Sequence, residues 1–306
     1  MHLPSLPRSR PTPWRARVGP DPALPHYVRR RYHVCARADF VAQCWNAQEI
    51  PLYTGEFGYE LMLQVPLAYA LFRRGRLKKT TGLKGTRALY YFSPHHTEVS
   101  GMRSCQLYPG LNRVPYPADG RFYKLFWQPP PYKEHYQNSL FTFQKPLVIV
   151  HNKYNHEWAG PPVNFVSLAG LREMFRRLGG TYQIIYIRLE QKDLLDHQAL
   201  EPFEDKEMIQ GEFPGILLFE QITERYPDKG FNEIQFMIHA HCERYVSVQG
   251  GNAAIASWFG GTNLILARQG REIQSRAYEL LYPRFSDAKI RSFNTESDLL
   301  AEIHSL

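Results

Sequence analysis

The segment from Arg244 to Gly270 constrains the fold more than any other part of the chain, because it has the pattern of a strand, a turn, a helix and a second strand. A buried strand is predicted at Tyr245–Val248, a small-residue helix at Ala253–Phe259 and a further strand at Leu264–Ala267. The turn between the first strand and the helix is Gly250-Gly251, and glycine lets the backbone turn sharply and a ligand approach it closely. A helix that starts there points its N–H groups and positive dipole end at the turn, which favours phosphate. The pattern predicts either an anion site at the carboxyl end of a strand or a tight turn that binds nothing.

The rest of the second half alternates between short apolar runs and amphipathic stretches. Strands are predicted at Pro146–Val150, Tyr182–Leu189 and Gly215–Phe219, and helices at Phe165–Leu178, from Asn232 to Cys242, and at Ser297–Ser305. Asn232 and Gln235 form a plausible capping pair for the second of these helices. Strands that alternate with helices favour a parallel, doubly wound sheet.

The first half is less regular. Strands are predicted at Tyr32–Phe40, Glu49–Tyr53 and Ala88–Phe92, and an amphipathic helix at Phe57–Gly75. The fold class that we expect is α/β with two Rossmann-like lobes, of which the C-terminal one has the better defined parallel sheet. Residues 1–31 are expected to be a disordered tail, residues 32–145 an N-terminal lobe, and residues 146–306 a C-terminal lobe.

Charge and composition exclude several classes of protein. The net charge is +8, but residues 1–31 carry seven arginines, seven prolines and one acid, so the remainder is close to neutral and lacks the footprint of a nucleic-acid-binding domain. No apolar run approaches the roughly 20 residues that span a bilayer. The four cysteines are scattered without a CxxC pair, which favours a reduced, cytoplasmic location and predicts neither disulfides nor a zinc site. No metal site and no cofactor are predicted.

The first candidate cluster is the turn that opens the predicted helix at Phe57. Glu56 lies in this turn and Glu60 in the first helical turn, and a sugar or alcohol acceptor needs a base near its hydroxyl. The alternative is that acids are simply favourable at a helix N-terminus. His95, after the strand predicted at Ala88–Phe92, is a further candidate base. The acceptor-binding residues expected here are Gly55, Phe57, Gly58 and Tyr59.

The second cluster follows the strand predicted at Pro146–Val150. Lys153 could meet a diphosphate, and His151 or Asn152 could hydrogen-bond a sugar or ribose hydroxyl. Trp158 could stack on a sugar or base and is assigned to the acceptor. Arg188, at the end of the next strand, is a second candidate phosphate ligand. The alternative is a loop whose side chains are only solvated.

The third cluster surrounds the glycine turn. Ser247, Gln249 and Asn252 offer hydroxyl and amide groups, and Arg268 offers a fixed charge at the end of the following strand. With Gly250 and Gly251, these residues complete the donor-binding set. The chain has no GxxxxGK[ST] loop and no GxGxxG after the first strand of its second half, which argues against P-loop and NAD-binding proteins.

The GEFGYE turn together with VSVQGGNAAIASWFGGTNLILA resembles the two-lobed glycosyltransferases of the GT-B type, over residues 48–75 and 146–270. The layout is similar to that of fucosyltransferase-like enzymes and of small capsule-type or algal-virus glycosyltransferases, some of which transfer xylose. Where the fucosyltransferase-like pattern has an HxR segment, this chain has His151-Asn152-Lys153, and lysine lacks the bidentate fork of arginine. No DxD motif stands in the acceptor half, which is consistent with metal independence.

The resemblance implies transfer from a nucleotide-sugar of the UDP-xylose or GDP-fucose type to a glycan hydroxyl. It also implies that residues 32–145 form an N-terminal acceptor-binding lobe and residues 146–306 a C-terminal nucleotide-sugar-binding lobe. Lys153, Arg188 and the Gly250 turn would stabilise the leaving nucleoside diphosphate, and Glu56 would deprotonate the acceptor in a single inverting displacement. The alternatives are a non-catalytic sugar-nucleotide or glycan-binding module and, less favoured, nucleic-acid binding through the arginine-rich tail. The sequence does not determine the oligomeric state.

Overall fold

Two parallel sheets form the framework of the computed structural model, which describes residues 47–103, 127–158, 160–189 and 202–306. In the first sheet the order is β1-β2-β3, and in the second it is β6-β5-β4-β7-β8-β9, with every neighbouring pair parallel. The first sheet comprises β1 (Glu49–Ile50), β2 (Lys79–Leu83) and β3 (His96–Val99). The second comprises β4 (Leu147–His151), β5 (Gln183–Ile187), β6 (Leu217–Leu218), β7 (Arg244–Val248), β8 (Thr262–Leu266) and β9 (Lys289–Phe293). The predicted tail 1–31 and the predicted strand Tyr32–Phe40 lie outside the described residues.

Helices connect and cover the strands. The helix α1 consists of three continuous segments, Phe57–Tyr59, a π-helical turn Glu60–Gln64, and Val65–Arg73. The others are α2 (Tyr132–His135), α3 (Leu168–Leu178), α4 (Asp205–Glu212), α5 (Phe219–Thr223), α6 (Phe231–His239), α7 (Gly251–Ser257), α8 (Arg271–Gln274), α9 (Ala277–Leu280), α10 (Pro283–Ser286) and α11 (Glu296–Glu302), the last extended by a 3₁₀ turn Ile303–Ser305. No helix in these described ranges is long and apolar enough to cross a membrane.

The strand order of the second sheet fixes where a ligand would bind. The chain builds outward from β4 through β5 to β6, returns to the other side of β4 with β7, and continues to β8 and β9. The order therefore reverses between β4 and β7. In open α/β sheets ligands bind in the crevice beyond the carboxyl ends of the strands at this switch point. The crevice begins at His151 on one side and Val248 on the other.

Alternate residues of the second sheet face two different cores, as the period of a strand requires. Ile149 and Tyr245 point into a core that also contains residues of α1, α2, α6 and α7. Val148 and Val246 point into a core formed with α3, α4 and α11. Because α1 shares the first of these cores, the helix of the first half packs directly against the second sheet's helices.

Two expectations about local structure were wrong. The residues Ala88–Phe92 form turns and not a strand, because the carbonyl oxygens of Ala88 and Leu89 accept hydrogen bonds from the Tyr136 and Tyr132 hydroxyls, both at 2.7 Å. The next strand, β3, begins only at His96. The predicted capping pair of α6 is also absent: Gly230 occupies the N-cap without a side-chain bond, and Asn232 donates instead to the Gly85 carbonyl at 2.7 Å.

The conformation of the turn before β8 can be tested by substitution of its glycine. Gly261 has φ +68°, and a Cβ built on it would lie 2.2 Å from the Glu243 carbonyl oxygen. Gly261→Ala should therefore destabilise the protein by about 2 kcal/mol or more, since left-handed strain and a backbone clash add. Gly180→Ala is the matched control, because a Cβ there meets nothing within 4 Å. Equal urea midpoints for the two variants would contradict the turn geometry.

Candidate functional site

The glycine turns predicted in the two halves of the chain lie against each other. A Cβ added to Gly58, at the start of α1, would be 3.8 Å from the Gly251 Cα, and one added to Gly251 would be 3.1 Å from the Phe57 Cδ1. The backbone at Gly251 is thus approached by the Phe57 ring rather than left open. This close contact leaves little room for a side chain at position 251 and brings the expected acceptor turn to the carboxyl end of β7.

Lys153 lies next to this contact. We call the space around Lys153 and the Gly250 turn the corner. The Lys153 Nζ donates to the Glu157 Oε1 at 2.5 Å and to the Gln249 Oε1 at 3.1 Å, and it would lie 3.5 Å from a Cβ on Gly250. Gly250 has φ +126° and ψ −161°, a conformation open essentially to glycine alone. The ammonium group therefore stands at the Gly250 turn. Since α7 has only seven residues, this ammonium, rather than the helix dipole, is the main positive charge of the corner.

The electrostatic surroundings of Lys153 are acidic. Burial lowers the pKa of Lys153, and the carboxylates of Glu157, Glu272 and Glu56 oppose this and raise it. The side chain of Lys153 keeps 22% of its surface exposed, so a ligand can still reach it. The carboxylate of Glu56, from the first half of the chain, therefore contributes to raising the pKa of an ammonium from the second half.

Glu157 and Asn164 hold this corner in place. The Glu157 carboxylate also accepts from the Asn164 and Val163 backbone N–H groups at 2.8 and 3.3 Å. The Asn164 Oδ1 in turn accepts from the Arg268 backbone N–H at 2.7 Å. Sequence reasoning assigned no role to Glu157 or Asn164, although Lys153 and Glu157 have the four-residue spacing of many ion pairs.

The side chain of Glu56 is exposed at the N-cap of α1. Its carbonyl oxygen accepts from the backbone N–H groups of Tyr59 and Glu60 at 3.1 and 3.2 Å, while its carboxylate makes no capping bond. Burial, together with Glu56 and Glu60, raises the pKa of the neighbouring Tyr53 hydroxyl. Glu56 thus presents a solvent-accessible carboxylate at the N-terminal end of α1, and an accessible carboxylate suits a base.

Glu60, in contrast, lies wholly inside the protein. It accepts from the Arg103 Nη2 at 2.6 Å and from the Tyr90 hydroxyl at 3.0 Å, and Arg103 also donates to the Gly55 carbonyl at 3.0 Å and covers the Phe57 ring at 5.1 Å. Burial raises the pKa of Glu60, and the charge and hydrogen bond of Arg103 lower it. A base must reach the acceptor, so this position gives Glu60 an anchoring role instead of the predicted catalytic one. Arg103, which sequence reasoning missed because its partners are about 45 residues away, fastens the turn that carries Glu56.

Three residues expected to bind the donor are buried and bonded internally. The Asn152 side chain pairs with the Val166 backbone, accepting from its N–H at 2.9 Å and donating to its carbonyl at 3.0 Å. The Ser247 hydroxyl donates to the Asn263 Oδ1 at 2.8 Å. The His151 Nε2 lies 2.9 Å from the His239 Nε2. These side chains hold loops and helices onto the sheet.

The two arginines predicted to join Lys153 have carboxylate partners of their own. The Arg188 Nε donates to the Asp205 Oδ2 at 2.6 Å, at the start of α4. The Arg268 guanidinium donates to the Val163 and Phe165 carbonyls at 2.8 and 2.7 Å and lies 3.5 Å from the Glu296 carboxylate. Their charges are therefore used to tie α4 and α11 to the sheet, and the convergence of three cations on the Gly250 turn is not seen.

The remaining candidate residues are Asn252, Tyr59, Trp158 and His95, and only the last lies away from the site. Asn252, half-buried in the first turn of α7, and Tyr59, in the first segment of α1, lie at the meeting point of the glycine turns. Trp158 is one residue beyond Glu157 and is 60% exposed. His95 immediately precedes β3 and hence lies at the amino end of that strand, opposite the edge that carries the site.

No family model and no curated protein sequence matches the chain. Among solved structures, the chain is similar to the Escherichia coli ADP-heptose lipopolysaccharide heptosyltransferase II, with a TM-score of 0.52 at 10% identity over 85% of this chain and 98% of that one. It also aligns with TibC, an iron-containing dodecameric glycosyltransferase from enterotoxigenic E. coli (TM-score 0.43, 11% identity, 80% of this chain and 61% of that one), and with a UDP-N-acetylglucosamine 2-epimerase (TM-score 0.40, 8% identity, 85% and 94%). At such identities the first likeness establishes the fold alone. The predicted α/β class with two parallel sheets of the GT-B type is confirmed.

The Glu60–Arg103 pair generates a stability prediction. Arg103→Leu should lower the free energy of unfolding by about 3–5 kcal/mol, because it leaves the Glu60 carboxylate buried and uncompensated. Arg172→Leu is the control, since it breaks an exposed pair with Glu212 and should cost at most about 1 kcal/mol. Urea unfolding of both variants measures the difference. A small and equal effect would show that the pair does not anchor α1.

The buried histidines generate a prediction about pH. The His239 Nδ1 donates to the Gln235 carbonyl at 2.6 Å, so its Nε2 accepts from the His151 Nε2–H and both rings are neutral. Burial lowers the pKa of His239 to about 3 and that of His151 well below 6.5. The unfolded chain takes up protons below about pH 6.5 that the native pair rejects, so stability is lost as the pH falls below that value.

At pH 5 His239 should cost about 2 kcal/mol relative to pH 7, because its pKa falls from about 6.5 in the unfolded chain to about 3 in the native one. Urea unfolding at the two pH values measures this loss, which His239→Gln should reduce. The exposed His95→Gln should leave it unchanged. If both variants keep the full pH dependence of the wild type, the pair is not its source.

Proposed function

We propose that this protein is a glycosyltransferase that holds a nucleotide-sugar with its diphosphate over Lys153 and the Gly250 turn. The observation that carries the proposal is the meeting of two glycine turns at the switch point, with the Lys153 ammonium on one side and the exposed Glu56 carboxylate on the other. The fold shared with a heptosyltransferase supports the same class of reaction. The donor is of the UDP-xylose or GDP-fucose type and the acceptor is a glycan hydroxyl.

The reaction that suits these groups is a single displacement. Glu56 takes the proton of the acceptor hydroxyl, and the acceptor oxygen attacks the anomeric carbon. The bond from that carbon to the diphosphate oxygen breaks, and its electron pair leaves with the nucleoside diphosphate, whose charge the Lys153 ammonium stabilises. The anomeric centre is thereby inverted. This scheme requires no metal or cofactor, and we propose a cytoplasmic location from the cysteine spacing.

A non-catalytic sugar-nucleotide or glycan-binding module is the second candidate. It is favoured by the fact that Lys153, Arg188 and Arg268 all have carboxylate neighbours, Glu157, Asp205 and Glu296. A neutralised cation stabilises a leaving group less strongly than a bare one. The two candidates differ in whether a bound donor is consumed.

Nucleotide binding should depend on Lys153. A thermal-shift screen against UDP, GDP, ADP, CMP and their sugar conjugates, with and without Mn²⁺, should find at least one ligand that raises the Tm without metal. Lys153→Met should abolish that shift, and the exposed Lys84→Met should retain it. A well-folded wild-type protein that responds to none of these ligands would refute the proposed donor site.

Turnover should depend on Glu56. With the donor identified, Glu56→Gln should lower kcat by about 10²–10⁴-fold, the usual contribution of a positioned base, and should leave the thermal shift by the donor unchanged. Glu224→Gln, at an exposed position after α5, is the control. Full turnover in the Glu56 variant would remove its assignment as the base. A donor that binds tightly and is never consumed by wild type, across a panel of glycan acceptors, would favour the binding module.

A further inference from the structure

Trp158 has a backbone conformation that is unfavourable for a tryptophan residue. Trp158 has φ +51°, in the left-handed region that a bulky side chain rarely adopts, and the strain costs of order 1 kcal/mol. Glu157 and Gly160 hold the turn, with hydrogen bonds of 3.2 Å from Glu157 N–H to Gly160 carbonyl and of 2.8 Å in the reverse direction. Such strain persists only where the surrounding structure imposes it, and it is concentrated at functional sites.

The ring that this turn presents lies largely in solvent. Trp158 is the most exposed of the large apolar side chains in the described part of the chain, at 60%, whereas Trp127 and Trp258 are buried. Its ring stacks on no other aromatic ring among the described residues. Burying an indole normally stabilises a fold, so a strained and exposed tryptophan is explained poorly by packing.

The turn that carries Trp158 is directly joined to the residues that hold Lys153. The preceding residue, Glu157, is only 7% exposed, and its carboxylate is bonded at once to the Lys153 ammonium and to the backbone of Val163 and Asn164. The one carboxylate therefore fixes both the cation and the turn. The indole is thus carried by the residue next to the carboxylate that binds the Lys153 ammonium.

We propose that Trp158 is a stacking residue for the flat face of a ring attached to the diphosphate that Lys153 binds, and that Glu157 is its positioning residue. This inference rests on the proposed function and adds a contact that determines which donor is bound. A nucleotide-sugar has two such rings, the base on one side of the diphosphate and the sugar on the other. Both present a flat face to an indole, and simple probes distinguish them.

Trp158 fluorescence provides the direct measurement. Emission excited at 295 nm, taken as the difference between wild type and Trp158→Phe, is titrated with a nucleoside diphosphate and separately with a hexose 1-phosphate. Quenching by the nucleoside diphosphate alone assigns the base to Trp158, and quenching by the sugar phosphate alone assigns the sugar. If the wild type shows a thermal shift with these probes but the Trp158 emission is unchanged by either, the stacking role is overturned while the proposed function stands. If neither probe binds, both fail together.

Trp158→Gly is the matched binding variant, because glycine adopts φ +51° without strain and the turn should fold. Isothermal titration calorimetry, which does not depend on the Trp158 emission, should show binding of the quenching probe weakened by about 5- to 150-fold, the usual range for loss of a base–aromatic stack. Leu140→Ala, which trims another exposed apolar residue, should not change the Kd. Glu157→Gln should weaken the quenching of Trp158 emission even though the indole is retained. Trp158→Phe should bind the probe with an affinity between those of wild type and Trp158→Gly. Equal affinity of the glycine variant and the wild type would overturn the proposal.

Discussion

The contact between Gly58 and Gly251 is the constraint on which the rest of the site depends. It lets the first turn of α1 lie directly against the first turn of α7, and it thereby places a carboxylate from one half of the chain beside an ammonium from the other. A Cβ at position 251 would meet the Phe57 ring at 3.1 Å, so the ring would have to move aside. The glycine that the sequence suggests for ligand approach therefore lies where one helix approaches another.

The same contact explains why so much buried charge surrounds α1. Ion pairs without solvent are expensive, and we interpret the Glu60–Arg103 pair as one that fixes the position of the turn before α1. Arg103 fastens the Gly55 carbonyl, the Glu60 carboxylate and the Phe57 ring at once, so the turn before α1 is held from three directions. The π-helical turn Glu60–Gln64 directs Glu60 inward to meet this arginine while Glu56 stays outside. Two acids four residues apart thus have opposite environments.

Much of the second sheet could be predicted from sequence, because its strands are short apolar runs with both faces covered. The runs at 146–150 and 245–248 correspond to β4 and β7, and the glycine turn at Gly250 lies where the pattern places it. The strand predicted at Ala88–Phe92 failed for a physical reason: its aromatic side chains pack on α1 and α2, and distant tyrosines satisfy its carbonyls. Apolar content indicates burial, but a short run does not distinguish a strand from a buried turn.

The site was harder to predict, since polar residues at strand ends serve loops as readily as ligands. Asn152, Ser247 and Arg268 have the chemistry that a sugar-nucleotide needs, yet each is engaged with residues 14 to 105 positions away. Nothing local in the sequence marks that engagement. Lys153 differs because Glu157 and Gln249 hold its ammonium beside the Gly250 backbone, which carries no side chain. A cation that is held in place and still accessible is positioned before the ligand arrives, so less of the binding energy is lost in ordering it. The glycine turn beside the ammonium, more than the number of positive charges or their exposure, distinguishes this corner from the other cations of the sheet.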